Sequence, residues 1–288
     1  MTSKYCRATI MIVLCIAMLS VTAATAFSKS STTPVSQRDS RKLVLRSAAA
    51  LVKDQETGEF LIQKQATAVL PIASITKLMT AMVVLDAGID LEESLTIESG
   101  DMFGLRRRAR ALLPVGSELT RRDALLIALM ASDNRCARAL GRAYPGGLDA
   151  CIAAMNAKAR SLGLTETRFE DPTGLSISNV SSARDLAQLV DIACQYNLIR
   201  EFTTYKKAFV NSGRRILEFH NTNRLVQNPG WQIGLSKTGF IGASGRCLVM
   251  QAQVAQRSLI IVLLDSQGKL TRIGDANRIK HWLEGLSL

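Results

Sequence analysis

The sequence predicts a mixed α/β fold in which an antiparallel sheet, built from both chain ends, is flanked by helices and carries an inserted, mostly helical segment. Three observations predict it: short strand-length apolar runs lie towards both ends, helix-period segments with caps and glycine stops fill the middle, and an amphipathic helix closes the chain. Strands grouped at the two ends fit that architecture better than the regular alternation of a βαβ fold. No internal repeat is evident.

The chain opens on Lys4 and Arg7, an apolar stretch over residues 8–19 broken only by Thr9, and Ala24-Thr25-Ala26 as a small-x-small cleavage site. Residues 1–26 therefore read as a secretory signal peptide, with the exported form beginning at Phe27. No later segment approaches the ~18 consecutive apolar residues that a membrane span needs. The expectation is a periplasmic protein with at most peripheral membrane contact. Residues 27–42, rich in Ser, Thr and basic groups, read as a flexible leader, and 43–288 as one domain.

Within that domain, 43–51 and 60–65 read as a hairpin with Gly58 in its turn, and 69–72 leads into a helix predicted over 74–87, with Gly88 as its stop. Residues 91–116 are irregular. Thr120 is placed to cap a helix running to Ser132, with Asp123 in its first turn. Further helices are predicted over 135–144, stopped by Pro145-Gly146-Gly147, and over 148–162, stopped by Gly163. Asp171-Pro172-Thr173-Gly174 reads as a turn, and Ser182 as the cap of a helix through Ala193. Short strands at 207–210 and 216–220 precede a meander over 232–240, 246–254 and 259–264. The last helix, 275–284, offers Ile279, Trp282 and Leu283 to a core.

Composition narrows the function. At 47% hydrophobic and 21% charged the chain is an ordinary globular protein. Residues 1–26 hold two basic groups and no acid, so the net charge of +12 falls to +10 after cleavage. An exported basic protein meets little nucleic acid; carboxylate-rich cell-wall peptides and anionic membrane surfaces are the expected counterparts. The cluster Arg106, Arg107, Arg108 and Arg110 reads as a solvated loop or helix face rather than a dedicated patch. Cys136, Cys151, Cys194 and Cys247 remain after cleavage, far too sparse for a disulfide scaffold, and their pairing is left open. With no C-x-x-C and only His220 and His281, neither a metal site nor a cofactor is expected. The same two histidines, and the lack of G-x-S-x-G, weigh against a Ser-His-Asp hydrolase.

Lysine is then the best available base. In Ser74-Ile75-Thr76-Lys77 the spacing i, i+3 puts an amine one helical turn from a hydroxyl, at the head of the apolar run 78–85. Burial there would depress the lysine pKa, and only a neutral lysine accepts a proton. Taken alone the tetrapeptide is weak, since average usage predicts about one S-x-x-K by chance in such a chain. A second, Ser266-Gln267-Gly268-Lys269, follows a strand and reads as a turn. The added weight comes from Ser132-Asp133-Asn134 and Lys237-Thr238-Gly239, each occurring once and in that order after Ser74. The trio is the signature shared by class A β-lactamases and penicillin-binding proteins.

Larger blocks extend the match: Ser74 to Thr80, Ala131 to Arg135, Phe219-His220-Asn221-Thr222-Asn223 and Lys237 to Phe240. On these the chain resembles the low-molecular-mass penicillin-binding proteins, serine D-Ala-D-Ala peptidases with a β-lactamase/transpeptidase-like fold. Within them it looks most like the murein DD-endopeptidases, which cut D-alanyl-meso-diaminopimelate cross-links and stop after the catalytic domain; relatives often carry Glu at the position of Asp133. The resemblance implies that Ser74 attacks the D-alanine carbonyl and forms an acyl-enzyme, that Lys77 takes its proton, and that Ser132 relays a proton to the leaving amine. It further implies that Asn134 holds Lys77 and the substrate amide, that Lys237 and Thr238 bind the substrate carboxylate, that Gly239 admits close backbone approach, and that the backbone N–H groups of Ser74 and Phe240 form the oxyanion hole. No chemical role attaches to His220 or Asn223, where packing is the default. The implied partners are peptidoglycan peptide stems, with β-lactams as covalent inhibitors and no nucleic acid.

Each role has a plainer alternative: a helix-terminal cap pair for Ser132 and Asn134, an exposed strand residue for Lys237. A β-lactamase is disfavoured because no E-x-x-L-N follows Asn134. A D-Ala-D-Ala carboxypeptidase would share every catalytic residue. A catalytically inactive wall-binding or β-lactam-sensing module is opposed by the intact Ser74, Lys77, Ser132 and Lys237.

Overall fold

A computed structural model describes residues 43–102, 113–213 and 215–286; the expected signal peptide, the leader and the arginine cluster at 106–110 lie outside the described residues. In chain order, β1 (Ser47–Asp54) and β2 (Phe60–Lys64) form a hairpin, and β3 (Leu70–Pro71) leads into a turn of 3₁₀ helix over Ala73–Thr76 and then α1 (Lys77–Asp86). The short strands β4 (Ser94–Thr96) and β5 (Glu118–Thr120) pair and precede α2 (Arg121–Met130), α3 (Asn134–Arg142) and α4 (Gly147–Ser161). Then come β6 (Val180–Ser181), α5 (Ala183–Ala193), α6 (Asn197–Thr204), and the hairpin of β7 (Lys207–Asn211) with β8 (Ile216–His220). The meander β9 (Gln232–Ile241), β10 (Gly245–Val254) and β11 (Arg257–Ser266) follows, and α7 (Thr271–Leu286) closes the fold.

The large sheet has the order β2-β1-β11-β10-β9 and is antiparallel throughout, so the first and last strands of the chain meet at its centre. Its register sets Leu51 opposite Val262 and Val249 opposite Val262 on one face, with Val52 opposite Ile261 and Met250 opposite Ile261 on the other. The first face packs into a core shared with α1, α2, α4 and α5, and the second against Ala276, Ile279 and Leu283 of α7. Helices on both faces explain why the central strands read as continuous apolar runs rather than strict alternation.

Local chemistry sets most boundaries. Thr120 caps α2 by accepting from the Asp123 N–H, and Ser182 caps α5 by accepting from the Asp185 N–H. The helix predicted over 74–87 begins later: Ser74 lies in the 3₁₀ turn and Lys77 is the first residue of α1. The cap pair that would be the plainer reading of Ser132 and Asn134 is not seen; Asp133 caps α3 by accepting from the Arg135 and Cys136 N–H groups. Helix α6 was not expected, being short and rich in polar and β-branched residues; it is held by burying Ile199 and Phe202 against α2 and β9. Helix α7 starts four residues before its predicted onset, in a polar first turn containing Gly274. The four cysteines after residue 26 are free thiols, and all but Cys194 are buried. No helix among the described residues is long and apolar enough to cross a membrane.

One buried carboxylate ties α7 to β1. Asp275 accepts from the Arg46 N–H (3.0 Å), the Ser47 N–H (2.7 Å) and the Ser47 hydroxyl (2.5 Å), and pairs with Arg278. Burial by itself would raise its pKa, but the hydrogen bonds from Ser47 and Arg46 outweigh it and hold the carboxyl below its ordinary value. Such a group adds stability above its unfolded pKa of about 3.9 and loses it as pH falls through the folded pKa. Asp275→Asn is expected to cost about 1.5–3 kcal/mol at pH 7 in denaturant unfolding, with the gap to wild type closing below about pH 4; a gap that persists there would show that charge is not what the site uses.

Candidate active site

Three separate stretches of chain converge on the amine of Lys77, which is fully buried at the start of α1. Its Nζ donates to Ser74 Oγ at 2.9 Å, to Asn134 Oδ1 at 2.6 Å and to the Thr173 carbonyl at 2.5 Å. The sequence anticipated the first two partners; the third it did not, since a backbone acceptor leaves no mark in residue identity. Burial pulls the lysine down to about 7, against the opposing pull of Asp171 and Asp133.

The Thr173 carbonyl is aimed by a densely bonded loop. Asp171 accepts from the N–H groups of Thr173 (2.5 Å), Gly174 (2.8 Å) and Ser176 (2.7 Å) and from the Thr173 hydroxyl (2.5 Å). Although burial raises its pKa, these donors bring it below the ordinary value, and the carboxylate stays charged. Asn179 donates to Thr76 Oγ1 (3.0 Å) and to the Asp171 carbonyl (2.8 Å), and Thr80 donates to the Pro172 carbonyl (2.8 Å), so both strap the loop to the Ser74–Lys77 segment. The turn read at 171–174 is thus the brace of the site.

A second buried lysine faces the first. Lys237 Nζ on β9 donates to Ser132 Oγ at 2.9 Å and to the Thr238 carbonyl at 3.1 Å. Burial, then the neighbouring Lys77 and Arg272, push its pKa well below the ordinary lysine value. Lys237 is therefore not the exposed strand residue of the plainer alternative. Ser132 sits at φ +60 and Ala73 at φ +48, sparsely populated conformations for non-glycine residues that cluster here beside the reactive groups.

The strand itself passes close to the nucleophile. A Cβ on Gly239 would stand 2.7 Å from the Ile72 carbonyl and 3.3 Å from the Ser74 nitrogen, so only glycine lets β9 run against the 3₁₀ turn. This sets the β9 backbone at Gly239, the residue before Phe240, against the backbone of Ser74. Thr238 Oγ1 lies 2.7 Å from Thr222 Oγ1, and Arg272 donates to the Gly239 and Cys247 carbonyls at 2.9 Å each. Sequence reasoning missed Thr222 and Arg272. Within the Phe219–Asn223 block, the His220 side chain is largely exposed, whereas Asn223 is buried and donates to Ser236 Oγ at 2.8 Å, a packing role.

The D-alanyl-D-alanine carboxypeptidase family model matches residues 35–268. The chain is 47% identical to a protein of Pseudomonas aeruginosa named D-alanyl-D-alanine endopeptidase, over 83% of this chain and 78% of that one. It is 44% identical to the Escherichia coli protein of the same name, with the same coverage. Among solved structures, the Streptomyces K15 DD-transpeptidase superimposes with a TM-score of 0.77 at 26% identity, covering 85% of this chain and 98% of that one.

The brace offers a direct test. Gly174 has φ +83, and a Cβ there would stand 2.0 Å from the Ala73 carbonyl oxygen, whereas Gly88, at φ +62, has open space around it. Gly88→Ala should therefore cost only the left-handed penalty of about 1–2 kcal/mol. Gly174→Ala should cost about 1–3 kcal/mol more, as the collision displaces backbone next to Ser74. Equal losses in denaturant unfolding would mean that the loop yields freely and does not brace the site.

Proposed function

Because this chain belongs to the D-alanyl-D-alanine carboxypeptidase family of serine peptidases, we propose that it is an exported DD-peptidase that cuts D-alanyl-meso-diaminopimelate cross-links of peptidoglycan through an acyl-enzyme on Ser74. The hydrogen bond from a fully buried Lys77 to Ser74 carries the reading. A buried amine with a pKa of about 7 is half neutral near neutral pH, and its neutral form can accept the Ser74 proton as Oγ bonds to the D-alanyl carbonyl carbon. The developing oxyanion is met by the N–H groups of Ser74 and Phe240.

Collapse of the tetrahedral adduct breaks the C–N bond, and the leaving amine receives a proton through Ser132, which is hydrogen-bonded to Lys237. Water then cleaves the ester, returning the proton to Ser74. Lys237 and Thr238 receive the carboxylate next to the scissile bond; an anion arriving beside a depressed lysine raises its pKa and so favours the charged, binding form. The names of the relatives at 44–47% identity favour cross-link cleavage. The family's own description supports a carboxypeptidase alternative with the same chemistry. An inactive wall-binding module finds no support in a site where each of two buried lysines is hydrogen-bonded to a serine.

Penicillin presents the same carbonyl, and labelled penicillin is expected to acylate Ser74 and to leave Ser74→Ala unlabelled. Lys77→Arg keeps the charge but cannot give up a proton, so acylation should slow by at least ~10². In wild type the acylation rate should rise with pH through about 7, where Lys77 loses its proton. Stopped acylation kinetics across pH 5–9, roughly two units either side of that value, check all three; an arginine variant acylating at the wild-type rate sinks the lysine-base mechanism.

A further inference from the structure

A cavity of about 370 Å³ opens beside the Lys237-Thr238-Gly239 stretch, lined by Thr222, Arg224, Arg246, Lys269 and Arg272. It shares a wall with the site: Thr222 is hydrogen-bonded to Thr238, and Arg272 to the Gly239 carbonyl. Four cations border it, and none of them makes an ion pair with a carboxylate among the described residues. Arg272 is 8% exposed and its Nε has no hydrogen-bond partner. Burial and the nearby Arg246 pull its pKa down to about 10. Like charges gathered around a concavity repel one another and destabilise the fold unless an anion occupies it. Arg246 is further held over the exposed Phe240 ring, 4.3 Å from its centroid.

We propose that this cavity is the subsite for the leaving peptide stem, with Arg224, Arg246 and Lys269 binding its carboxylates. The inference rests on the DD-peptidase reading above. Thr238 receives the carboxylate beside the scissile bond, so whatever extends beyond the leaving amine runs towards Thr222 and the cavity. In the carboxypeptidase reaction the leaving group is one D-alanine, whose single carboxylate Lys237 and Thr238 already satisfy. In cross-link cleavage it is a whole peptide stem carrying further carboxylates. Planar guanidinium forks suit carboxylates, and a site built for an anion discriminates strongly against a leaving group lacking it. The cavity therefore selects cross-links over free D-Ala-D-Ala ends.

The test compares wild type with the double variant Arg224→Glu, Lys269→Glu, both residues being exposed and outside any buried contact. The substrates are a cross-linked peptide dimer, the same dimer with its leaving-stem carboxylates amidated, and penicillin. We expect kcat/KM on the native dimer to fall at least tenfold more than penicillin acylation does, with the loss carried by KM. Amidation should cost wild type a similar factor and the double variant little, and Arg224→Lys, Lys269→Arg should restore most of the activity. Native dimer cleaved by the charge-reversed variant with the wild-type KM, or amidation equally harmful to both proteins, overturns the subsite alone. Wild-type protein that acylates with penicillin but leaves dimers intact overturns the cross-link reading and the subsite with it.

Discussion

The structure depends on removing the Lys77 amine from water. An ammonium stripped of solvent costs several kcal/mol unless its hydrogens are satisfied, and an amine that sheds its proton loses that penalty but still needs partners. Ser74, Asn134 and Thr173 are those partners, and each comes from a different part of the chain: the 3₁₀ turn, the start of α3 and the loop before β6. The three pieces cannot move apart without leaving a buried polar group unpaired. The Asp171 turn and the Asn179 strap therefore serve one carbonyl, and the site inherits its rigidity from the requirement that this carbonyl point at one nitrogen.

Two depressed lysines within electrostatic reach of each other divide the labour through what surrounds them. Lys77 feels the carboxylates of Asp171 and Asp133, which hold its pKa up against burial, whereas for Lys237 burial is reinforced by the neighbouring cations Lys77 and Arg272. Burial depresses Lys77, as the apolar run that follows it predicts, while the repulsion between the two lysines acts on Lys237. Ser132, which accepts from Lys237, is held at positive φ, a sparsely populated conformation for a non-glycine residue.

Much of this was legible in the residues. Central strands buried on both faces leave unbroken apolar runs at 49–52 and 259–264, and Thr120, Ser182 and Gly163 mark helix ends by side-chain and backbone chemistry that acts locally. Ser74, Lys77, Ser132, Asn134 and Lys237 stood out because their types and order are chemically specific, and the structure joins them in two hydrogen-bonded groups, Ser74–Lys77–Asn134 and Ser132–Lys237, whose lysines interact electrostatically. What escaped had no local signal. Helix α6 exists through tertiary burial of Ile199 and Phe202. The Thr173 carbonyl would serve with any side chain on it, and the 3₁₀ turn before α1 holds Ala73 at φ +48, with Gly239 and Gly174 both close against it, contacts that leave no mark in local sequence.

Strand β9 is where these constraints meet, and its position explains why the insert lies where it does. It is an edge of the large sheet, reached only after the helical segment has been threaded between β2 and the meander. An edge strand exposes unpaired backbone groups and invites unwanted pairing unless something covers or blunts it. Here α6 and the 3₁₀ turn pack against it, Gly239 lets the turn come within contact distance of the backbone, and Arg246 and Arg272 place charge beside the stretch that follows. Lys237, Thr238 and Gly239 are themselves buried and only Phe240 is exposed, so little of this edge is left bare between the Ser74 turn and the cationic cavity. The covering that protects this edge from other strands leaves little room on it for an unrelated chain.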